Sequence, residues 1–169
     1  MKRRNNVKKD RVRRGLLWLL VISVAGVIFF FSSMDGPESM EMSSGFTTWL
    51  MRRFHPDYDL LAPEKQEEIY QLFVFIVRKT AHFTEFAALG VSLMLLIHDY
   101  SLRRGPLWAW GIGTLYAGTD ELHQLFKGTR TPSLRDVAID SAGVLFGALF
   151  VSLLLFLFAR WKEKKTRAS

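Results

Sequence analysis

Residues 137–159 read VAIDSAGVLFGALFVSLLLFLFA, an apolar run in which Asp140 is the only ionisable side chain. About 20 consecutive apolar residues are what an α helix needs to cross the hydrocarbon core of a bilayer. A second run, GLLWLLVISVAGVIFFF, covers residues 15–31 and contains no charged residue. These two runs predict transmembrane helices and place the chain among integral membrane proteins.

Two further segments are long enough to span a bilayer but carry polar side chains. Residues 69–97 contain Arg, Lys, His and Glu in their first half, and residues 106–126 carry the polar sequence TDELHQ at positions 119–124. We therefore predict an all-α integral membrane protein. Its fold would be a bundle of four transmembrane helices at about 15–31, 69–97, 106–126 and 137–159.

The segment between the first two spans, residues 32–68, is polar. It holds eight acidic and three basic residues, and its prolines at 37, 56 and 63 prevent one continuous helix. We expect an outer loop here, with a helix start near Pro63 because proline and carboxylates favour a first helical turn.

Composition supports this organisation. The chain has 169 residues, enough for one domain, and combines 49% hydrophobic residues with a net charge of +7. Basic residues crowd residues 1–14 and 160–169, on either side of the membrane domain at 15–159. Basic segments flanking apolar spans are typical of cytoplasmic ends, so both termini are predicted to be cytoplasmic and no nucleic-acid partner is expected.

The start of the chain permits a second interpretation. The basic start and the first apolar run also resemble a signal peptide, but the run is long and no clear cleavage site follows, which favours an uncleaved helix.

The chain has no cysteine, which excludes disulfides, thiolate metal sites and cysteine nucleophiles. No metal-binding motif is reproduced, and we expect neither a metal nor a cofactor.

This orientation brings polar residues from separate spans to one depth near the outer surface. An ionisable side chain inside a membrane is a functional-site candidate, because a carboxylate facing mid-bilayer lipid costs about 2.5–3.5 kcal/mol on insertion scales. The predicted ligand-binding residues are Lys79, His82, Glu85, Asp120, Glu121, Gln124, Arg130, Asp136 and Asp140. Asp120 could instead face the outer water, because its helix ends within a turn or two.

Spacing in the last span indicates which face packs. Asp136, Asp140, Gly143 and Gly147 follow at intervals of four, three and four, which keeps one helix face. Gly143 and Gly147 form a small-x-x-x-small pattern that lets helices approach closely in lipid. We expect both glycines to be packing residues and Asp140 to point towards a neighbouring helix.

Two blocks of the sequence resemble the VanZ-like family. These are RKTAHFTEFAALG at 78–90 and TDELHQLFKGTRTPSLRDVAIDSAGVLFG at 119–147, and FFFSSMDG at 29–36 is similar to the family's serine-containing segment. The family consists of small bacterial polytopic membrane proteins named after an accessory teicoplanin-resistance protein. The matched positions are Lys79 and His82, Glu121 and Gln124, Arg130 and Asp136, and the small pair Gly143 and Gly147.

The resemblance implies a role in the bacterial cell envelope, at the cytoplasmic membrane. The favoured hypothesis is binding of an anionic lipid or lipid-linked wall precursor, since Lys and Arg suit phosphate, with a contribution to teicoplanin or other glycopeptide resistance. The alternative is an intramembrane hydrolase or transferase with His82 as general base and Glu121 as acid. A proton- or ion-coupled transporter is less favoured, because the polar residues lie near one side. A homo-oligomer could form through the Gly143–Gly147 face.

Overall fold

The computed structural model describes residues 2–34, 36–126 and 133–168 of the chain. Over these residues it contains five α helices and one short 3-10 turn. They are α1 (Lys2–Ser32), α2 (Gly36–Phe54), the 3-10 turn (Tyr58–Leu60), α3 (Pro63–Asp99), α4 (Gly105–Phe126) and α5 (Leu134–Ala168). The all-α prediction is confirmed for the described part of the chain.

Three of these helices are long and apolar enough to cross a membrane, within the described ranges. The qualifying stretches are Lys8–Ser32 of α1, the whole of α3, and Leu134–Arg167 of α5. α4 lies outside this set, because glycine, threonine and tryptophan take many of the positions that leucine and phenylalanine take in α5. The membrane character is therefore supported by three helices, and a fourth span at α4 stays a prediction.

α3 is the central helix of the domain, in contact with α1, α2, α4 and α5. Its buried residues Phe86, Leu89, Leu93 and Ile97 follow at intervals of three or four, which places them on one face. Val144 and Ala148 of α5 join the same apolar cluster. The main core therefore lies where α3 meets α1, α4 and α5.

The contacts fix the relative directions of the helices. Lys79 of α3 pairs with Asp136 of α5, and Ala87 lies against Gly147 further along both helices, so α3 and α5 run parallel. α1 runs the opposite way, because Arg14 near its start bonds Asp99 at the end of α3. α4 is parallel to α1, since Tyr116 bonds Ala25 and Gln124 bonds Ser32.

α3 and α5 touch through glycines. A Cβ atom added at Gly143 or Gly147 would collide with a backbone carbonyl of α3, at Phe83 or Ala87 respectively. A Cβ at Gly90 of α3 would meet the carbonyl of Val144 in the same way. In lipid, close packing of this kind supplies much of the attraction between helices. Gly143 and Gly147 thus lie at a close contact between α3 and α5, within a single chain.

The segment predicted as an outer loop contains a helix that sequence patterns did not predict. α2 buries Thr47 and Met51 against its neighbours while Phe46 and Trp49 remain exposed. The prolines do not oppose this helix, because Pro37 lies in its first turn and Pro56 follows its end. The helix start near Pro63 is confirmed, since α3 begins there, six residues before the predicted span.

The two ends of the domain carry different charge patterns. At the end we call the basic end, Asp99 pairs with both Arg13 and Arg14, and the Arg14 guanidinium lies 4.6 Å from the centroid of the Tyr100 ring. At the opposite, polar end, Lys79 pairs with Asp136. Lys79 and Asp99 are 20 residues apart on one helix, about 30 Å at 1.5 Å per residue, which matches the hydrocarbon thickness of a bilayer.

Candidate functional site

The structure brings most of the predicted site residues together at the polar end of the domain. Arg130 lies outside the described residues. We call the other eight the polar cluster; they are Lys79, His82 and Glu85 of α3, Asp120, Glu121 and Gln124 of α4, and Asp136 and Asp140 of α5. Three helices that are distant in sequence thus contribute to one place.

Lys79 and Asp136 form an ion pair at the outermost level of the polar cluster. Their side chains are 13% and 28% exposed, so the pair is largely sheltered. The Lys79 ammonium lies 5.6 Å from the centroid of the Phe75 ring, and the Arg135 guanidinium lies 5.1 Å from the same centroid. Two cations therefore converge on one aromatic ring at the edge of the cluster.

His82 and Asp140 face each other about one helical turn deeper. The distance between His82 Nδ1 and Asp140 Oδ1 is 3.8 Å, which permits electrostatic attraction but exceeds a hydrogen-bond length. The Asp140 side chain is only 5% exposed. Asp140 thus points towards α3, and the expectation that it avoids lipid is confirmed.

Asp120 and Gln124 are buried and connect α4 to the end of α1. The Gln124 side-chain amide donates hydrogen bonds to Asp120 Oδ2 at 3.0 Å and to Ser32 Oγ at 2.9 Å. Asp120 is 4% exposed, so the alternative that it faces the outer water is wrong. The burial follows from its position on the α4 face that also carries Gly113 and Ala117, both buried.

Glu121 contacts the residue that precedes α5. Its Oε1 accepts a hydrogen bond of 2.6 Å from the backbone N–H of Ser133, the residue before α5. The start of a helix carries unpaired N–H groups and a partial positive charge, both of which favour a carboxylate. This contact gives Glu121 a positioning role at the helix start and does not favour the general-acid role of the enzyme hypothesis.

Carboxylates outnumber cations in the polar cluster. It contains five acidic residues, and its described basic groups are Lys79 and the imidazole of His82. Asp120 lies within electrostatic range of both Glu85 and Asp140. Like charges in a region of low dielectric repel strongly. The interior of the cluster would therefore stabilise a cationic or hydrogen-bond-donating group more than an anion.

Two serines at the end of α1 belong to this region but were not among the predicted site residues. Ser32 bonds Gln124, and Ser33 Oγ lies 3.2 Å from His123 Nε2. The Ser33 hydroxyl also donates a hydrogen bond of 2.7 Å to the Phe29 carbonyl, one turn earlier on α1. The signal for both was the FFFSSMDG segment, where two hydroxyls end an apolar run.

A second polar group lies between α4 and α5. Ser141 Oγ is 2.8 Å from both Thr114 Oγ1 and Trp110 Nε1. Hydrogen bonds of this kind hold transmembrane helices together, so the group has a structural explanation. Among the side chains that the structure describes, no set of three or more His, Asp and Glu residues could hold a metal ion.

Comparison with known proteins places most of the chain in one family. Residues 17–158 match the model of the family described as VanZ/LLP1. This range includes the polar cluster, Arg130 and the glycines between α3 and α5. Comparison with curated proteins and with solved structures gives no match.

Proposed function

The chain belongs to the VanZ/LLP1 family, and from this premise we propose that it binds the phosphate-bearing headgroup of a membrane lipid at the polar cluster. The lipid is either an anionic lipid or a lipid-linked wall precursor. The proposal includes a location in the bacterial cytoplasmic membrane, with both termini in the cytoplasm and the polar end facing outwards. Binding there would contribute to teicoplanin or other glycopeptide resistance.

One observation carries the proposal, the convergence of Lys79 and Arg135 on the Phe75 ring. Both side chains lie at the edge of the polar cluster, at the level where the hydrocarbon core of the bilayer would end. Lysine and arginine are the side chains that bind phosphate, as a point charge and as a planar fork. A lipid phosphate lies at this depth in a bilayer and would need no displacement to reach them.

The carboxylates define where the rest of the headgroup would lie. Glu85 is six residues from Lys79 on α3, about 9 Å deeper by helical rise. A phosphate placed among Glu85, Asp120 and Asp140 would be repelled, whereas hydroxyl or amino groups of the headgroup would be attracted. The bound lipid would therefore keep its phosphate at the edge and direct hydrogen-bond donors inwards.

The outward orientation rests on the distribution of basic residues. The basic end of the domain contains Arg13, Arg14, Arg103 and Arg104, and α5 ends in a basic tail at the same end. Cytoplasmic loops of membrane proteins carry an excess of Lys and Arg. This rule supports a cytoplasmic basic end and an outward polar end.

The binding proposal is tested with purified full-length protein in detergent. Binding of phosphatidylglycerol and of a polyprenyl phosphate is measured for wild type, Lys79→Met and Arg135→Met, with Lys65→Met as the matched control on the exposed start of α3. Losing a charge-assisted hydrogen bond worth about 1.5–3 kcal/mol corresponds to roughly a 10- to 150-fold weaker affinity. Equal affinities in all four proteins would contradict the proposal, and the lipid that binds more tightly identifies the headgroup source.

The resistance role is tested in cells. Strains expressing wild type, Lys79→Met or Lys65→Met at equal level are compared for teicoplanin susceptibility. We expect Lys79→Met alone to shift susceptibility towards that of a strain without the protein. Equal susceptibility of the Lys79→Met and wild-type strains would separate lipid binding from resistance.

The enzyme alternative finds no specific support in the described contacts. His82 Nδ1 faces Asp140, and Glu121 is held by the Ser133 amide. Neither contact presents a base and an acid to a common reacting atom, which general acid–base catalysis requires. Binding therefore remains the proposed function.

A further inference from the structure

An apolar groove of about 480 Å³ lies between α2 and α3. Phe46 and Leu50 of α2 form one wall, and successive turns of α3 between Ile76 and Glu85 form the other. A concave site of this volume, with a mostly hydrocarbon lining and few polar groups, is typical of binding sites for small apolar molecules. Glu85 is the one ionisable group among the described residues that line it.

The α2 wall of the groove is held in place by packing within the protein. Thr47 and Met51 of α2 lie next to the wall residues in sequence, and both are buried. The Phe46 ring stacks on the Trp49 ring of the same helix, with the two centroids 5.8 Å apart. The groove is therefore formed without a ligand, as most small-molecule sites are.

The Glu85 carboxylate has no counter-ion in the described part of the chain. No hydrogen bond or ion pair joins it to another residue that the structure describes, and Lys79 pairs with Asp136 instead. A second carboxylate, that of Asp120, lies within electrostatic range of Glu85. Like charges in a region of low dielectric repel, and a cation beside Glu85 would offset this repulsion. Charge complementarity therefore favours a positively charged group at the Glu85 end of the groove.

We propose that this groove binds a small hydrophobic amine, with its ammonium group at Glu85 and its apolar body between α2 and α3. An ammonium group donates strong, charge-assisted hydrogen bonds to a carboxylate. The ligand would enter from the bilayer, because Phe46 and Ile76 at the sides of the groove are exposed. This site is independent of phosphate binding at Lys79 and Arg135, which meet on the side of α3 that faces α5.

Photolabelling with three probes of one skeleton tests the charge requirement. Full-length protein in phosphatidylcholine nanodiscs is irradiated with a benzophenone on a butyl chain that ends in an amine, an alcohol or a carboxylate. Adducts at residues 46–50 and 76–85 are divided by adducts at Phe146 and Phe150, which are exposed on α5, and this ratio corrects for partitioning into the bilayer. We expect the ratio to be about tenfold higher for the amine, the least that one charge-assisted hydrogen bond contributes. Equal ratios for the amine and the alcohol would overturn the proposal.

Variants show whether Glu85 supplies the preference for the amine. Glu85→Gln keeps the shape of the side chain but removes its charge, and it should lower the ratio for the amine to that for the alcohol. Glu68→Gln, at an exposed glutamate near the start of α3, is the matched control and should leave the preference unchanged. A preference for the amine that persists in Glu85→Gln would contradict the assignment.

Filling the groove gives a second test that does not alter a charge. Ala81→Trp should lower the labelling of the groove by the amine to the level at α5, while Ala142→Trp, at an exposed alanine of α5, should leave it unchanged. Thr80→Phe is a second filling variant if Ala81→Trp folds poorly by thermal unfolding. Labelling that persists in a folded filling variant would place the amine elsewhere and contradict the proposal.

Lys79→Met separates this inference from the proposed function. Because Lys79 lies on another side of α3, we expect this substitution to leave the preference for the amine intact whether or not it weakens phosphatidylglycerol binding. A loss of amine labelling in Lys79→Met would show that the amine depends on the proposed phosphate site, and the inference of a separate site would fail.

Discussion

In the Lys79–Asp136 pair, the free-energy cost of removing two charges from water opposes the attraction between them. Both are largely sheltered, and each is the other's ion-pair partner. Removing one member of a sheltered pair leaves an uncompensated charge, which is costlier than removing both. The pair thus stabilises the α3–α5 contact only as long as it is complete.

A double-mutant cycle tests this dependence. We expect Lys79→Met and Asp136→Leu each to lower the free energy of unfolding by about 1–3 kcal/mol. The double variant should lose less than the sum of the two, with a coupling of about 0.5–3 kcal/mol. The measurement is reversible unfolding in mixed SDS micelles, and additive losses would contradict it.

For single residues, the sequence predicted that polar side chains from separate helices lie at one depth, but it did not predict what each side chain contacts. Asp140 was placed correctly because its spacing to Gly143 and Gly147 fixed one helix face. The sequence left open whether Asp120 is buried. Only the packed position of α4 shows that its side chain accepts a hydrogen bond from Gln124, which also contacts Ser32. The Glu121 contact with Ser133 depends on a connection that no periodicity describes.

Among the elements, α3 and α5 depend on the absence of side chains at their contact. A Cβ at Gly147 would collide with the Ala87 carbonyl, whereas a Cβ at Gly26 on α1 meets no atom within 4 Å. Backbone atoms have no alternative rotamer and must move as a unit. The two glycines therefore provide a matched pair for substitution by alanine.

We expect Gly147→Ala to destabilise the protein by about 1–3 kcal/mol, the usual cost of overpacking a tight contact. Gly26→Ala should be neutral or stabilising by up to about 1 kcal/mol, because alanine favours the helix. Both are measured by the same SDS unfolding. Equal effects of the two substitutions would show that α3 and α5 are not in close contact.

The turn between α3 and α4 offers a second test. Ser101 has φ 55° and Arg104 has φ 58°, in the left-handed region that favours glycine. Ser101→Gly should leave stability unchanged or raise it by up to about 1 kcal/mol, while Ser101→Val should lower it by about 1–2 kcal/mol. Thermal unfolding of the two variants checks the order, and a stabilising valine would contradict it.

α2 is the helix that the sequence patterns did not predict. Its acidic and small residues, in GPESMEMSSG, are those of a solvated loop, and its aromatic residues and its one leucine lie only in the second half. Phe46 and Leu50 of this helix form one wall of a groove along α3. The long apolar runs, in contrast, were predictable because their composition permits no other structure in lipid.

For the whole molecule, the orientation in the membrane is the prediction with the widest consequence. The chain contains no cysteine, so single cysteines can be introduced without removing others. We expect a membrane-impermeant maleimide to label His55→Cys in intact cells. Arg103→Cys and Thr166→Cys should be labelled only after the cells are opened, because both lie at the basic end.

All three positions are exposed, so a difference in labelling reports the side of the membrane instead of burial. The reverse pattern would place the polar cluster on the cytoplasmic side. Labelling of Arg103→Cys and Thr166→Cys from opposite sides would remove one of the predicted spans, and α4 would be the helix concerned.

The glycine contact between α3 and α5 limits how the polar cluster can open. α3 and α5 meet at Gly90, Gly143 and Gly147 with backbone against backbone, so they cannot separate or slide without losing the whole contact. Five polar-cluster residues lie on this rigid pair, and the other three lie on α4. The proposed binding of a headgroup would therefore require displacement of α4, together with the end of α1 that Gln124 contacts.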